Sequence, residues 1–515
     1  MGKIKLIILL LIPVFSVVSQ DSGSEGTKFN LTGSMRLRAF DLARDIPVSR
    51  SNNSNFVYDI PAEYKARTVE ANEKIYSDLE LAMQGKKPTR SPKNEHLNYM
   101  DTRILMNLEF ISSKYFDGVV GVQIGDIPFG GRALSTSGSN ADLVSSYDNG
   151  AGSGGEMFQT SPINMQTNLL YLNFRLRQYD FFSRYGLQLF SSPQGRVLFT
   201  RAPGIYMNKD FKDDKISFEW GWIRARERSI ADLDGNGYND KYGQNSNVFF
   251  GKIKYSQINN FKTEIYTYVS KDNDATDANN ETGQLYWHGM FNELTLKDFN
   301  IIVHGIYNHG VVHTSNSLVN SSQSTVIQRN NDYKIGGALG DIQLTYFYDN
   351  SINFNLIGIG TTGRPGTDSD GTSANLKGQG YRPLAPLYAI SNLLVDFTGG
   401  YALFSASNMT GLIEYGGFTN YVVGPVQLTF GYYQLHASKA PRLGVNREFN
   451  SLFLQNSSTY FGDEYNFNLT WSVYSDFKLN FRSGIFFPSD GYRALRDFMG
   501  GSFAREAFLS GEYKF

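Results

Sequence analysis

The sequence predicts an all-β fold: a transmembrane antiparallel β-barrel of about eighteen strands, with sixteen as the alternative, short turns at one end and long loops at the other. Three observations lead there. A leader-like apolar run opens the chain, and no later run is apolar for the 18 or more residues that a spanning helix needs. From about Lys28 onward, segments of roughly ten to fourteen residues alternate apolar and polar side chains with period two. The last of these segments ends on an aromatic residue, Phe515.

At the start, Lys3 and Lys5 precede an apolar stretch from Leu6 to Val18, and small Ser19 precedes a polar DSGSEG segment. This is the order of a secretory signal peptide, so residues 1–19 are expected to be removed and residues 20–515 to form one barrel domain. Cysteine is absent, which excludes disulfides, thiolate chemistry and a lipidated N-terminal Cys. With 48 basic and 49 acidic residues there is no basic footprint for nucleic acid.

The alternation is clearest near the C-terminus. Tyr465, Phe467, Leu469, Trp471 and Val473 share one face, with Glu464, Asn466, Asn468, Thr470 and Ser472 opposite. After a turn at Ser475-Asp476, Leu479, Phe481, Ile485 and Phe487 oppose Lys478, Asn480, Arg482 and Gly484. In the last segment Ala507, Leu509, Gly511, Tyr513 and Phe515 face lipid, and Arg505 shares their parity near the headgroups. Short turns are expected at 112–118, 178–180, 212–214, 259–260, 297–299, 349–350, 423–425 and 474–476. Long connections are expected at 41–97, 128–163, 191–203, 229–246, 272–283, 311–332, 362–408, 438–463 and 488–501. The count of eighteen depends on a strand at GIYMNKDF, where alternation is poor. A helix is expected in residues 61–84 of the first loop.

Strand parity then sorts side chains into lipid-facing and lumen-facing sets, and the lumen set governs what passes. It places Arg36, Arg38, Arg103, Arg175, Arg177, Arg184, Lys478 and Arg482 on the pore lining, with Asp101, Glu109, Glu219, Glu264, Glu414, Glu464, Glu506 and Glu512 among the lumen carboxylates. Parity would put Arg224 and Arg226 toward lipid. Either a bulge near Gly221 and Trp222 turns them inward, or they lie above the apolar band. In ADLDGNGYNDKYG, Asp232, Asp234, Asn236 and Asp240 have the oxygen-ligand spacing of a calcium loop, but Gly243 stands where a bidentate Glu belongs. A structural calcium in that loop and an ordinary turn both fit, and no other cofactor is expected. GIGTTG at 358–363 lacks a following helix, His304, His309 and His313 straddle a strand end without a shared face, and no nucleophile motif is present, so an enzyme is not expected.

The segments QIGDIPFGGR (123–132) and YRPLAPLY (381–388), with the basic lumen, resemble the alginate-export family of outer-membrane porins. The resemblance implies eighteen strands and an electropositive pore for acidic saccharides or other anions, with Arg36, Arg38, Arg103, Arg175, Arg177 and Arg184 as solute contacts. No long turn that could act as a plug is found. The expected function is thus an integral outer-membrane channel for passive diffusion of hydrophilic solutes, with anion preference left open, or of acidic saccharides. The expected partners are outer-membrane lipid, small solutes and the barrel-insertion machinery that reads the C-terminal strand. The alternative is an adhesin-type barrel acting through its loops.

Overall fold

The computed structural model describes residues 28–44, 95–129, 165–211, 215–227, 245–256, 260–272, 281–319, 326–363, 380–384, 388, 390–392, 411–439, 458–489 and 504–515. The expected signal peptide, loop helix and calcium loop, with Asp232, Asp234, Asn236 and Asp240, lie outside them.

The strands are β1 (Lys28–Arg44), β2 (Glu95–Ser113), β3 (Phe116–Phe129), β4 (Met165–Leu176), β5 (Phe181–Ser191), β6 (Phe199–Phe211), β7 (Ile216–Glu227), β8 (Asn245–Tyr255) and β9 (Phe261–Asp272). The second half comprises β10 (Glu281–Thr295), β11 (Phe299–Val319), β12 (Val326–Phe347), β13 (Ile352–Thr361), β14 (Ile413–Val423), β15 (Val426–His436), β16 (Tyr460–Ser472), β17 (Phe477–Pro488) and β18 (Ala504–Lys514). Each pairs antiparallel with its neighbours in sequence, and β1 pairs with β18, so the 18-stranded sheet closes without an edge. Gly33 and Phe515 exchange backbone hydrogen bonds of 2.9 and 3.1 Å at the seam. Closure leaves no row of unpaired N–H and C=O groups, which lipid could not satisfy.

All eight expected short turns are present, between β2 and β3, β4 and β5, and so on to β16 and β17. They define a turn end opposite a loop end. The doubtful strand at GIYMNKDF exists as part of β6, pairing with both β5 and β7, so parity is kept. Two expected loops are shorter than the sequence suggested. β11 and β12 pair without interruption up to Val319 and Val326, deep into the stretch 311–332. Its polar side chains hide the pattern, yet cross-strand backbone bonds form as readily in water as in lipid. Consequently His304, His309 and His313 all lie within β11, rather than across its end. Likewise β6 begins at Phe199, inside the expected loop 191–203.

The two faces segregate as the alternation requires. Leu356 and Ile342 are 60% and 58% exposed on the outer face, in a band that includes Leu31, Leu172, Ile253, Ile265, Phe430 and Leu509. In water such a band would be unfavourable by about 25 cal/mol per Å². It suits hydrocarbon. At the loop end Arg505 lies 3.9 Å from Asp41, both half exposed on this outer face. The bulge in β7 lies between Arg224 and Arg226, not at Gly221 and Trp222. Arg224 therefore keeps outward parity near the loop end, where its Nη1 donates to Asn247 Oδ1 (2.9 Å) beside the Trp222 ring.

Candidate functional site, a constricted lumen

The inner face is not uniformly polar. Tyr266, Tyr268, Trp287, Ile306, Leu339, Ile359, Tyr433, Leu435 and Phe486 are buried on lumen-facing positions, and they share one apolar cluster with Val197, Leu198, Tyr381, Tyr388 and Ile390. The latter five belong to two connections that enter the barrel from the loop end.

The first connection is Ser192–Leu198. Its fold follows from SSPQGR: Ser192 Oγ accepts the backbone N–H groups of Val197 (3.0 Å) and Leu198 (3.1 Å), and Gly195 takes φ 70°, where a Cβ would strain the turn. The loop is held to the wall by Lys252 Nζ on Ser191 O (2.7 Å) and by His304 Nδ1 against Gln194 Oε1 (3.1 Å). At its tip Arg196 crosses to β12, where Nε donates to Asp341 Oδ2 at 2.7 Å, with both side chains 4% exposed or less. Its Nη1 donates to Tyr388 O at 2.7 Å.

The second connection includes Gly380–Leu384, Tyr388 and Ile390–Asn392. Trp287 Nε1 donates to Arg382 O (2.8 Å), Leu384 N to Val197 O (3.2 Å), and Tyr381 Oη to Arg196 O (2.9 Å). Further on, Ser391 Oγ donates to Glu464 Oε2 (3.0 Å), Asn392 Nδ2 to Asn468 Oδ1 (2.8 Å), and Arg482 Nη2 to Asn392 Oδ1 (2.7 Å). The strap thus runs across the interior from β10 to β17. Gly337 on β12 permits the approach, because a Cβ there would collide with the backbone of Gly380 and Tyr381. Gly337→Val is expected to lift the strap while leaving the barrel folded, raising single-channel conductance in planar bilayers.

The described contacts of both connections fall between β5 and β17. The remaining wall, β18 with β1 to β4, carries Arg36, Arg38, Arg103 and Arg175 of the residues predicted from parity, and Arg184 lies at its border on β5. Arg36 stands directly opposite Arg103 in register, and opposite Glu512 on its other side. Arg38 lies one inward step nearer the loop end. Near the turn end Arg175 pairs with Asp117 and stays 38% exposed, while Arg184 Nε donates to Asn173 Oδ1 (2.7 Å) and covers the Tyr171 ring at 4.2 Å. Arg177 sits in the exposed 3-10 turn Arg177–Tyr179, at the mouth rather than on the wall. Lys478 faces inward beside Glu512, and Arg482 supports the strap.

The lumen carboxylates mostly serve structure. Lys254 Nζ and Lys252 Nζ lie 2.5 and 3.6 Å from Glu219, and Lys252 lies 3.7 Å from Glu264. Glu414, Glu464 and Glu506 are buried on the inner face. Sequence reasoning missed Arg196, Asp341, Trp287 and the strap contacts. The available signal was a set of large apolar residues at positions whose parity should face water.

No protein-family model matches this chain, and no curated protein matches it. Among solved structures, the chain is similar to Acinetobacter baumannii OccAB1 (12% identity, TM-score 0.49, covering 94% of this chain and 97% of that one). It is also similar to A. baumannii OccAB4 (11%, TM-score 0.48, 94% and 98%) and to Pseudomonas aeruginosa OccK5, also called OpdH (9%, TM-score 0.47, 94% and 98%). These comparisons do not point to the alginate-export family in particular, and at these identities the likeness is one of fold.

Proposed function

We propose that the chain is an outer-membrane channel for passive diffusion of small hydrophilic anions. One observation carries this reading: among the described residues both inward connections pack against the β5 to β17 side, and the rest of the wall, β18 with β1 to β4, bears Arg36, Arg38, Arg103 and Arg175, with Arg184 beside it on β5. A solute moving past the straps travels along guanidinium groups, which bind carboxylate or phosphate oxygens in a fixed fork geometry. Neighbouring Glu109 and Glu512 keep the local field moderate, so the solute is attracted and still released. The outward apolar band supports a bilayer setting, in which short turns belong on the periplasmic side. The alginate-export resemblance contributes the electropositive pore to this reading and does not specify alginate.

Reversal potentials in planar bilayers under a salt gradient test it. Chloride is expected to be favoured over potassium, with the preference weakening as ionic strength rises. Cation selectivity would refute the anionic reading, and absence of channels from folded protein would refute the channel itself.

A further inference from the structure

The outer face carries a second charged feature, unconnected to the pore. Along the hydrogen-bonding direction of four adjacent strands, register aligns Lys271 of β9, Gln284 of β10, Val311 of β11 and Lys334 of β12. All four have outward parity, since Ser270, Trp287, Ile306 and Ile335 point inward and are buried. Both lysines are exposed, and neither has an ion-pair partner among the described residues. They stand three strand spacings apart, about 14 Å.

The next outward row toward the turn end is Val269, Tyr286, His309 and Gly336, and the one after it is Thr267, His288, Tyr307 and Ala338. Here Tyr286 stacks on His309 (4.9 Å, 16°), His288 Nε2 lies 3.2 Å from His309 Nε2, and Thr267 Oγ1 lies 3.0 Å from His288 Nδ1. Below these rings Gly305, Gly340 and Gly360 align across β11, β12 and β13, and a Cβ on Gly305, Gly336 or Gly340 would meet open space. From the loop end downward, one patch therefore offers two exposed cations, a polar aromatic shelf and a shallow apolar trough.

We propose that this patch docks one outer-leaflet lipid with a phosphorylated saccharide headgroup: Lys271 and Lys334 take its phosphates, the Tyr286, Tyr307 and His309 rings back its sugar, and an acyl chain lies in the glycine trough. The charge decides the occupant. The loop-end rim of β14 to β16 has a similar aromatic belt, but Asp463 occupies it, accepting from Tyr432 Oη at 2.8 Å and from Tyr460 Oη. Among the described side chains, an anionic headgroup is repelled there and attracted at β9 to β12. The inference rests on the outer-membrane reading but not on pore selectivity.

Native mass spectrometry of the detergent-folded full chain tests it, using a bis-phosphorylated, multiply acylated diglucosamine lipid and its dephosphorylated form. One phosphorylated lipid per barrel is expected to be retained, with at least tenfold weaker retention of the dephosphorylated form. K271Q/K334Q is expected to lose the same tenfold, G340L to weaken binding with both charges intact, and Tyr415→Ala to bind as wild type. Equal binding of the two lipids, or unchanged binding by the double lysine variant, would overturn the proposal and leave only a non-specific annulus. Heat-modifiable gel mobility verifies each fold, and if the double variant does not fold, each single lysine variant is read the same way. Specific retention by a barrel that forms no channels would sustain this site while refuting the pore.

Discussion

Arg196→Met is expected to destabilise the barrel by roughly 3–5 kcal/mol, because it leaves Asp341 as a buried charge without its partner. It should also open the pore. The Arg196 side chain ties three things together: the Ser192–Leu198 turn through its own backbone, β12 through Asp341, and the second strap through the Tyr388 carbonyl. Without it the strap loses a charge-assisted hydrogen bond at mid-barrel, and single-channel conductance should rise with more frequent substate transitions. The double variant Arg196→Met/Asp341→Leu separates the two effects. Replacing a buried pair by apolar groups is often close to neutral, so stability in a urea titration should largely return. The donor to Tyr388 O is still missing, so conductance should stay high. Wild-type conductance in both variants would show that the strap is held by its other contacts alone.

The barrel was legible because its determinants are local. Alternation along each strand reports which face meets lipid, and eight turn signals with the C-terminal strand fix parity, so even the poorly patterned β6 could be counted. The arginine wall was legible for the same reason: Arg36, Arg103, Arg175 and Arg184 follow from their neighbours' parity. The constriction was not. Arg196 meets Asp341 at a separation of 145 residues, and Tyr388 at 192. No periodicity encodes such a pairing. What alternation did reveal, without being read that way, was misfit: Trp287, Ile306 and Leu339 are apolar where water was expected, because the straps cover them. Of the two readings for Arg224, a place near the loop end above the apolar band fits, whereas the inward-turning bulge at Gly221 and Trp222 does not, since a one-residue insertion, here after Arg224, changes parity without changing composition.

Reversing the charge of the arginine pair should reverse the pore's preference. Arg36 and Arg103 are cross-strand neighbours of like sign on the inward face, and Glu512 stands opposite Arg36 on the other side. A solute ion about 7 Å from one guanidinium in water interacts with it by roughly 0.6 kcal/mol, reduced by about half at physiological ionic strength. Converting one Arg to Glu shifts anion and cation in opposite directions, so the permeability ratio should change about fivefold per site, and Arg36→Glu with Arg103→Glu should favour potassium. The effect should shrink in concentrated salt, where the Debye length falls to about 3 Å. The straps touch neither residue among the described contacts, so conductance should hold near the wild-type value. A ratio that moves while conductance does not would place selectivity on the β1–β2 wall. An unmoved ratio would instead place it at Arg175 and Arg184 near the turn end, where the same reversal, read in the same bilayer assay, gives the answer.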